Sequence, residues 1–141
     1  MRRFVRLGAL ALVISVVLAG VREAPASARR RKRPTPRAVE LADTASLSSD
    51  GRTADVVLLV TCKGFTPAPI RVTLQQSRVK GSTHSSADYK CSGQRQRLVV
   101  PVTASSGAFK TGSAGVNASV TLHSSSGGVK AVSVSRSIQL T

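Results

Sequence analysis

The stretch "TADVVLLVTC", residues 53–62, decides the fold. Ala54, Val56, Leu58, Val60 and Cys62 share one parity, while Asp55 and Thr61 mark the other as the wetter face. Side chains of an extended chain alternate between faces, so this period of two predicts a half-buried strand rather than a helix. Just before it, "SSDGR" (48–52) carries Asp50-Gly51, a hairpin cue because glycine supplies a positive φ at no steric cost. Ala45 and Leu47 then predict a short first strand leading into that turn.

The same period runs on downstream. "PIRVTLQQ" (69–76) turns Ile70, Val72 and Leu74 inward, and "SADYKC" (86–91) aligns Ala87, Tyr89 and Cys91. "RQRLVVPVT" (95–103) does so with Leu98, Val100 and Val102; Pro101 has no N–H to give a ladder, which predicts an edge or an irregularity there. "SAGVNASVTLH" (113–123) places Ala114, Val116, Ala118, Val120 and Leu122 together. "AVSVSRSIQL" (131–140) alternates except at Arg136, which shares the parity of Val134 and Ile138; a β-bulge near Ser135 is expected to turn it outward. Seven strands with one apolar and one polar face predict an all-β chain, folded as an antiparallel two-sheet sandwich.

What precedes the strands reads differently. Residues 1–28 have the three parts of a secretory signal peptide: basic Arg2, Arg3 and Arg6, an apolar run of 15 residues from Leu7 to Val21, and a small-x-small site at Ala26-Ser27-Ala28. The run is shorter than the ~20 residues of a spanning helix. Cleavage is expected after Ala28, and export follows from it. The next segment, "RRRKRPTPR" (29–37), holds Arg29, Arg30, Arg31, Lys32, Arg33 and Arg37, with Pro34 and Pro36 opposing helix. Residues 29–43 are expected to form a disordered basic linker and residues 44–141 the folded domain.

The whole chain carries 21 Lys and Arg against 6 Asp and Glu, a formal charge of +15. Removal of residues 1–28 takes away four arginines and Glu23, leaving 17 basic and 5 acidic residues. Six of those 17 lie in residues 29–37, so half of the remaining excess of +12 sits in nine residues. Such a segment points to anionic cell-envelope polymers or lipid headgroups as partners. Specific nucleic-acid recognition is not expected, because stacking platforms need exposed aromatics and the chain past residue 28 has only Phe65, Phe109 and Tyr89.

Cys62 and Cys91 both fall on the predicted core face, and in an exported chain two such cysteines predict a disulfide. A metal site would want more ligands than His84 and His123 add from distant segments, and a redox pair would want closer spacing.

The segments "ASLSSDGRTADVVLLVTC" (45–62), "YKCSGQRQRLVVPVTA" (89–104) and "GAFKTGSAGVNASVTL" (107–122) together resemble the small secreted immunoglobulin-like β-sandwich proteins of actinobacteria. The resemblance spans residues 44–141 and implies an immunoglobulin-like sandwich and an extracellular address, with no active site. It differs from the antibody pattern, since the cysteines are too close for a bridge between the second and sixth strands and there is no tryptophan.

Catalytic chemistry has one candidate set: His84 amid Ser82, Ser85 and Ser86, with Asp88 nearby. Serine-rich loops are usually solvated turns, so no enzyme, cofactor or small-molecule substrate is expected. Lys63, Lys90, Arg95 and Arg97 flank the cysteines and read either as a second basic patch or as ordinary solvated surface. Asn117-Ala118-Ser119 fits a glycosylation sequon. The expectation is a secreted, non-enzymatic module that binds polyanions or a protein partner, with a diffusible cationic effector (an inhibitor or antimicrobial factor) as the alternative.

Overall fold

Two apolar side chains decide where the fold starts. Val39 and Leu41 share the parity of Ala45 and are buried. Each gains about 1.5–3 kcal/mol by leaving water. The computed structural model describes residues 38–141, and its first strand, β1 (Val39–Leu47), begins five residues before the expected boundary at 44. Residues 39–43 therefore belong to the domain and not to the linker. The signal peptide expected over residues 1–28 and the basic residues Arg29 to Arg33 and Arg37 lie outside the described residues.

Six further strands follow: β2 (Thr53–Val60), β3 (Arg71–Gln76), β4 (Val79–His84), β5 (Gln96–Thr103), β6 (Gly112–His123) and β7 (Val129–Leu140). The described chain is all-β, as expected. Six of the predicted strands stand where the alternation put them, but "SADYKC" is a loop. Its place is taken by β4, which returns on β3 through the two-residue turn Ser77-Arg78, from Gln76 to Val79. Ser77 adopts a φ of 52°, unusual for a residue with a Cβ. Neither residue of that turn is the asparagine or glycine that marks such hairpins, and β4 buries only Gly81.

The expected antiparallel two-sheet sandwich gives way to one mixed, nearly closed sheet of order β4-β3-β6-β7-β1-β2-β5. The reason lies in β1, which belongs to both halves. It pairs antiparallel with β2 from Val39↔Val60 to Leu41↔Leu58, and again from Ala45↔Val56 to Leu47↔Ala54. Between those stretches β1 advances four residues while β2 advances two, which is a bulge. Leaving the bulge, Thr44 and Ala45 also pair in parallel with Gln139 and Leu140 of β7. One strand thus joins what would otherwise be two sheets.

The bulge predicted in β7 is absent: β6 and β7 pair without interruption from Gly112↔Leu140 to His123↔Val129. Arg136 keeps its inward parity and reaches the gap where β1 departs. There its guanidinium pairs with Asp43 and donates to the Leu41 carbonyl at 3.1 Å. Asp43 is itself the polar interruption among Leu41, Ala45 and Leu47, so the two breaks in alternation answer each other.

The sheet nearly closes between its two outer strands. Gly81 of β4 bridges to Ala104, and the Ser105 amide donates to the Lys80 carbonyl at 2.8 Å. A Cβ on Gly81 would collide with the Thr103 carbonyl oxygen and lie 2.9 Å from the Val102 side chain. Glycine is what lets β4 approach β5. Pro101 sits exposed on β5, whose ladder partner is β2 alone, so the edge reading of that proline holds.

One apolar core fills the interior, contributed by Val56 and Leu58 of β2, Val72 and Leu74 of β3, Val100 and Val102 of β5, and the buried residues of β6 and β7. Two aromatics close it from the loops. Phe109 is buried, and its amide donates to the Gly51 carbonyl at 2.8 Å. Tyr89 is buried with its hydroxyl donating to the Ala68 carbonyl at 2.6 Å and accepting from the Ala68 amide at 3.0 Å.

Candidate functional site

The end of the domain where the chain enters gathers several exposed cations. Ala38 is fixed there by the Thr61 amide, which donates to its carbonyl at 2.8 Å. Thr61 leads into Cys62, which is bonded to Cys91 with the Cα atoms 4.5 Å apart. The predicted disulfide is therefore present. It ties the end of β2 to the loop ahead of β5.

That loop is held in shape by more than the bridge. The Gly93 amide donates to the Cys62 carbonyl at 2.7 Å, and Lys63 bridges to Ser92. The Gln96 side chain accepts from the Lys90 amide at 2.9 Å and donates to the Lys90 carbonyl. Such side-chain bonds to backbone substitute for a ladder in a segment too irregular to pair as a strand. The basic residues flanking the cysteines thus stand on a braced platform.

Their charges are unevenly engaged. Arg95 pairs with Glu40. Lys63, Lys90 and Arg97 are exposed and make no ion pair among the described residues. Lys130, at the start of β7, is a further exposed cation that alternation alone did not single out. It lines a cleft of about 370 Å³ together with Ala38, Cys62, Lys63 and Phe65. Residues 29–37 join the domain at Ala38, so their covalent attachment point lies in a wall of the cleft that Lys63 and Lys130 line. Phe65 packs half-buried against the core.

The set drawn for catalysis is not joined to its histidine by hydrogen bonds among the described residues. Ser85 is buried; its hydroxyl accepts from the Ile70 amide at 3.0 Å and donates to the Ser86 carbonyl at 2.8 Å. Its own amide donates to the Ile70 carbonyl at 2.8 Å, so Ser85 closes the end of the β3–β4 ladder. Among the described residues no hydrogen bond joins His84 to Ser82, Ser85, Ser86 or Asp88. His84 is instead the last residue of β4, in register with Arg71 of β3. His123 is exposed at the end of β6, and its carbonyl accepts from the Thr66 amide at 2.8 Å. No group of three His, Cys, Asp or Glu among the described residues is placed to hold a metal ion.

The opposite end is built around an exposed turn. Asp50 accepts from the Ser48 hydroxyl at 2.6 Å and from the Arg52 amide at 3.0 Å. The Ser48 bond, then the Arg52 amide, hold its carboxyl below the ordinary carboxylate range. Gly51 has a φ of 69°, and a Cβ there would meet the Phe109 carbonyl oxygen at 2.5 Å.

Fold and site together define an all-β, disulfide-pinned domain with a cationic entry end. No family model, curated protein or solved structure matches the chain.

Proposed function

We propose that this protein is an exported, non-enzymatic immunoglobulin-like module that holds anionic envelope polymers or lipid headgroups through residues 29–37. The observation that carries the reading is the attachment of that segment at Ala38, in the cleft lined by Lys63 and Lys130. Lys90 and Arg97 add to the same end, and none of the four has a carboxylate partner among the described residues. Each basic residue near an acidic surface contributes about 1 kcal/mol, weakening with salt. Support for export comes from the three-part N-terminus and from a disulfide, which persists in oxidising compartments. Support for the immunoglobulin-like reading comes from the adjacencies β3-β6-β7 and β1-β2-β5, which match the C-F-G and A-B-E neighbours of such domains.

The test is salt elution from immobilised polyanion, with heparin and with phosphatidylglycerol vesicles as the two surfaces. Deleting residues 29–37 is expected to lower the eluting salt sharply on both surfaces, and Lys63→Glu with Lys130→Glu to lower it further. An eluting salt unchanged by the deletion would sink the tail assignment.

A protein partner is the second reading, favoured by the outer face of β1, β2 and β5. Val99 is 47% exposed there, with Leu59 and Pro101 on the same face. An apolar centre rimmed by charge is the anatomy of a protein interface.

A further inference from the structure

The outer face formed by β4, β3, β6 and β7 carries cations but no carboxylate. Its register sets four side chains in one row across the strands: His84, Arg71, Ser119 and Ser133. A shallow hollow of about 330 Å³ is lined by all four, with Thr121 and Ala131 beside them. Lys80 lies on the same face, four residues from His84 along β4. The acidic residues of the domain lie on β1, in its turn to β2, on β2 and in the loop after β4.

Arg71 and His84 are directly opposite one another across β3 and β4, both exposed. Elsewhere arginines of the domain are paired: Arg95 has Glu40 and Arg136 has Asp43. Arg71 and His84 have neither an ion pair nor a side-chain hydrogen bond among the described residues. An unpaired arginine beside a second donor, on a face without carboxylates, is where an anionic ligand is to be sought.

The neighbours complete a set of donors. The Asn117 amide donates to the Ser135 hydroxyl at 2.7 Å and, more weakly, to that of Ser133 at 3.4 Å. Each hydroxyl so used as an acceptor keeps its own hydrogen to donate outward. A guanidinium, an imidazole and two serine hydroxyls, with no competing acceptor charge, suit a tetrahedral oxyanion. Lys80 and the row containing His84 are about 13 Å apart, from four strand residues at roughly 3.3 Å each.

We propose that this face binds phosphate or sulfate ester groups of a hydroxylated polymer, with Arg71 and His84 holding one ester group and Lys80 another further along. The polar side chains between them meet the hydroxyls of the connecting units. This deepens the polyanion reading: residues 29–37 supply attraction, and the folded face supplies a defined site for the anionic group.

The test is amide chemical-shift mapping of the full-length protein, titrated with inorganic phosphate. Shifts are expected at Arg71, His84, Ser119 and Ser133. Arg71→Ala should weaken binding about tenfold, the loss of one charge-assisted contact, whereas Arg78→Ala in the neighbouring turn should leave it unchanged. A poly(glycerol phosphate) oligomer and heparin then serve as separate arms; the one whose shifts extend to Lys80 identifies the ester. Shifts confined to residues 29–37 or to Lys63 and Lys130, or an unchanged affinity in Arg71→Ala, would overturn the face site. Those outcomes leave the tail reading standing, because that reading is decided by salt elution of the deletion.

Discussion

Breaking the Cys62–Cys91 bridge tests how this small domain is held together. The two cysteines are 29 positions apart. The loop between them contains β3, β4 and the Tyr89 plug, which is to say one face of the core. On the chain-entropy relation a loop of that length removes about 12 cal/mol/K from the unfolded ensemble, or about 3.6 kcal/mol at 25 °C. Domains of this size have total stabilities of only about 5–15 kcal/mol. Urea unfolding followed by far-UV circular dichroism measures the difference. With a slope of roughly 1.5–2 kcal/mol/M, the midpoint of the Cys62→Ala/Cys91→Ala protein should fall by about 2 M. Wild-type protein reduced with dithiothreitol separates the constraint from the deleted side chains, since it keeps both sulfurs. It should lose nearly as much as the double variant. A loss below about 1 kcal/mol on reduction would refute the reasoning, and would mean that the 62–91 loop is already ordered in the unfolded chain or held by packing alone.

Two other perturbations probe single features. Gly81→Ala puts a methyl group into the Thr103 carbonyl and should destabilise by about 1–3 kcal/mol through forced separation of β4 from β5; Ser82→Ala, one residue on and exposed, should be near neutral, and equal midpoints in urea for the two would contradict the closure described. Asp50, whose carboxyl is held low by Ser48 and the Arg52 amide, contributes stability that is present above its unfolded value and is lost as pH falls through the lower folded value. Thermal midpoints measured from pH 6 to pH 2 should therefore drop less steeply below pH 4 in Asp50→Asn than in the wild type, and parallel curves would exclude the turn as a source of the acid sensitivity.

Much of the fold was legible because its core strands obey a strict period of two. Val72 and Leu74, or Ala114 through Leu122, were placed on the buried face by alternation alone. What escaped was whatever depended on partners distant in sequence. β4 offers lysine, glycine, serine and threonine to any local reading; it is a strand because β3 lies beside it and because Gly81 fits against β5. The parity break at Arg136 was visible, but its resolution was not, since Asp43 is 93 positions away and is reached only where β1 changes partner. The disulfide was legible from two cysteines on one predicted face. At the cationic end, Lys63, Lys90 and Arg97 could be noticed beside the cysteines, whereas Lys130 joins them only through the path of β7. His84 stands among serines in the sequence, yet its placement opposite Arg71 follows from a turn that carries no glycine or asparagine.

The double allegiance of β1 has a mechanical meaning. Beyond its bulge the strand runs parallel to the end of β7, where the Thr141 amide donates to the Ala45 carbonyl at 2.9 Å and the Leu47 amide to the Thr141 carbonyl at 2.8 Å. Force applied between residue 38 and Thr141 draws these two strands past each other along their length. Their hydrogen bonds are then loaded in shear and must yield together, rather than opening one at a time from an end. A chain tethered at its basic end and dragged from the other would resist through its first and last strands, while the hairpin of β3 and β4 lies outside the line of pull.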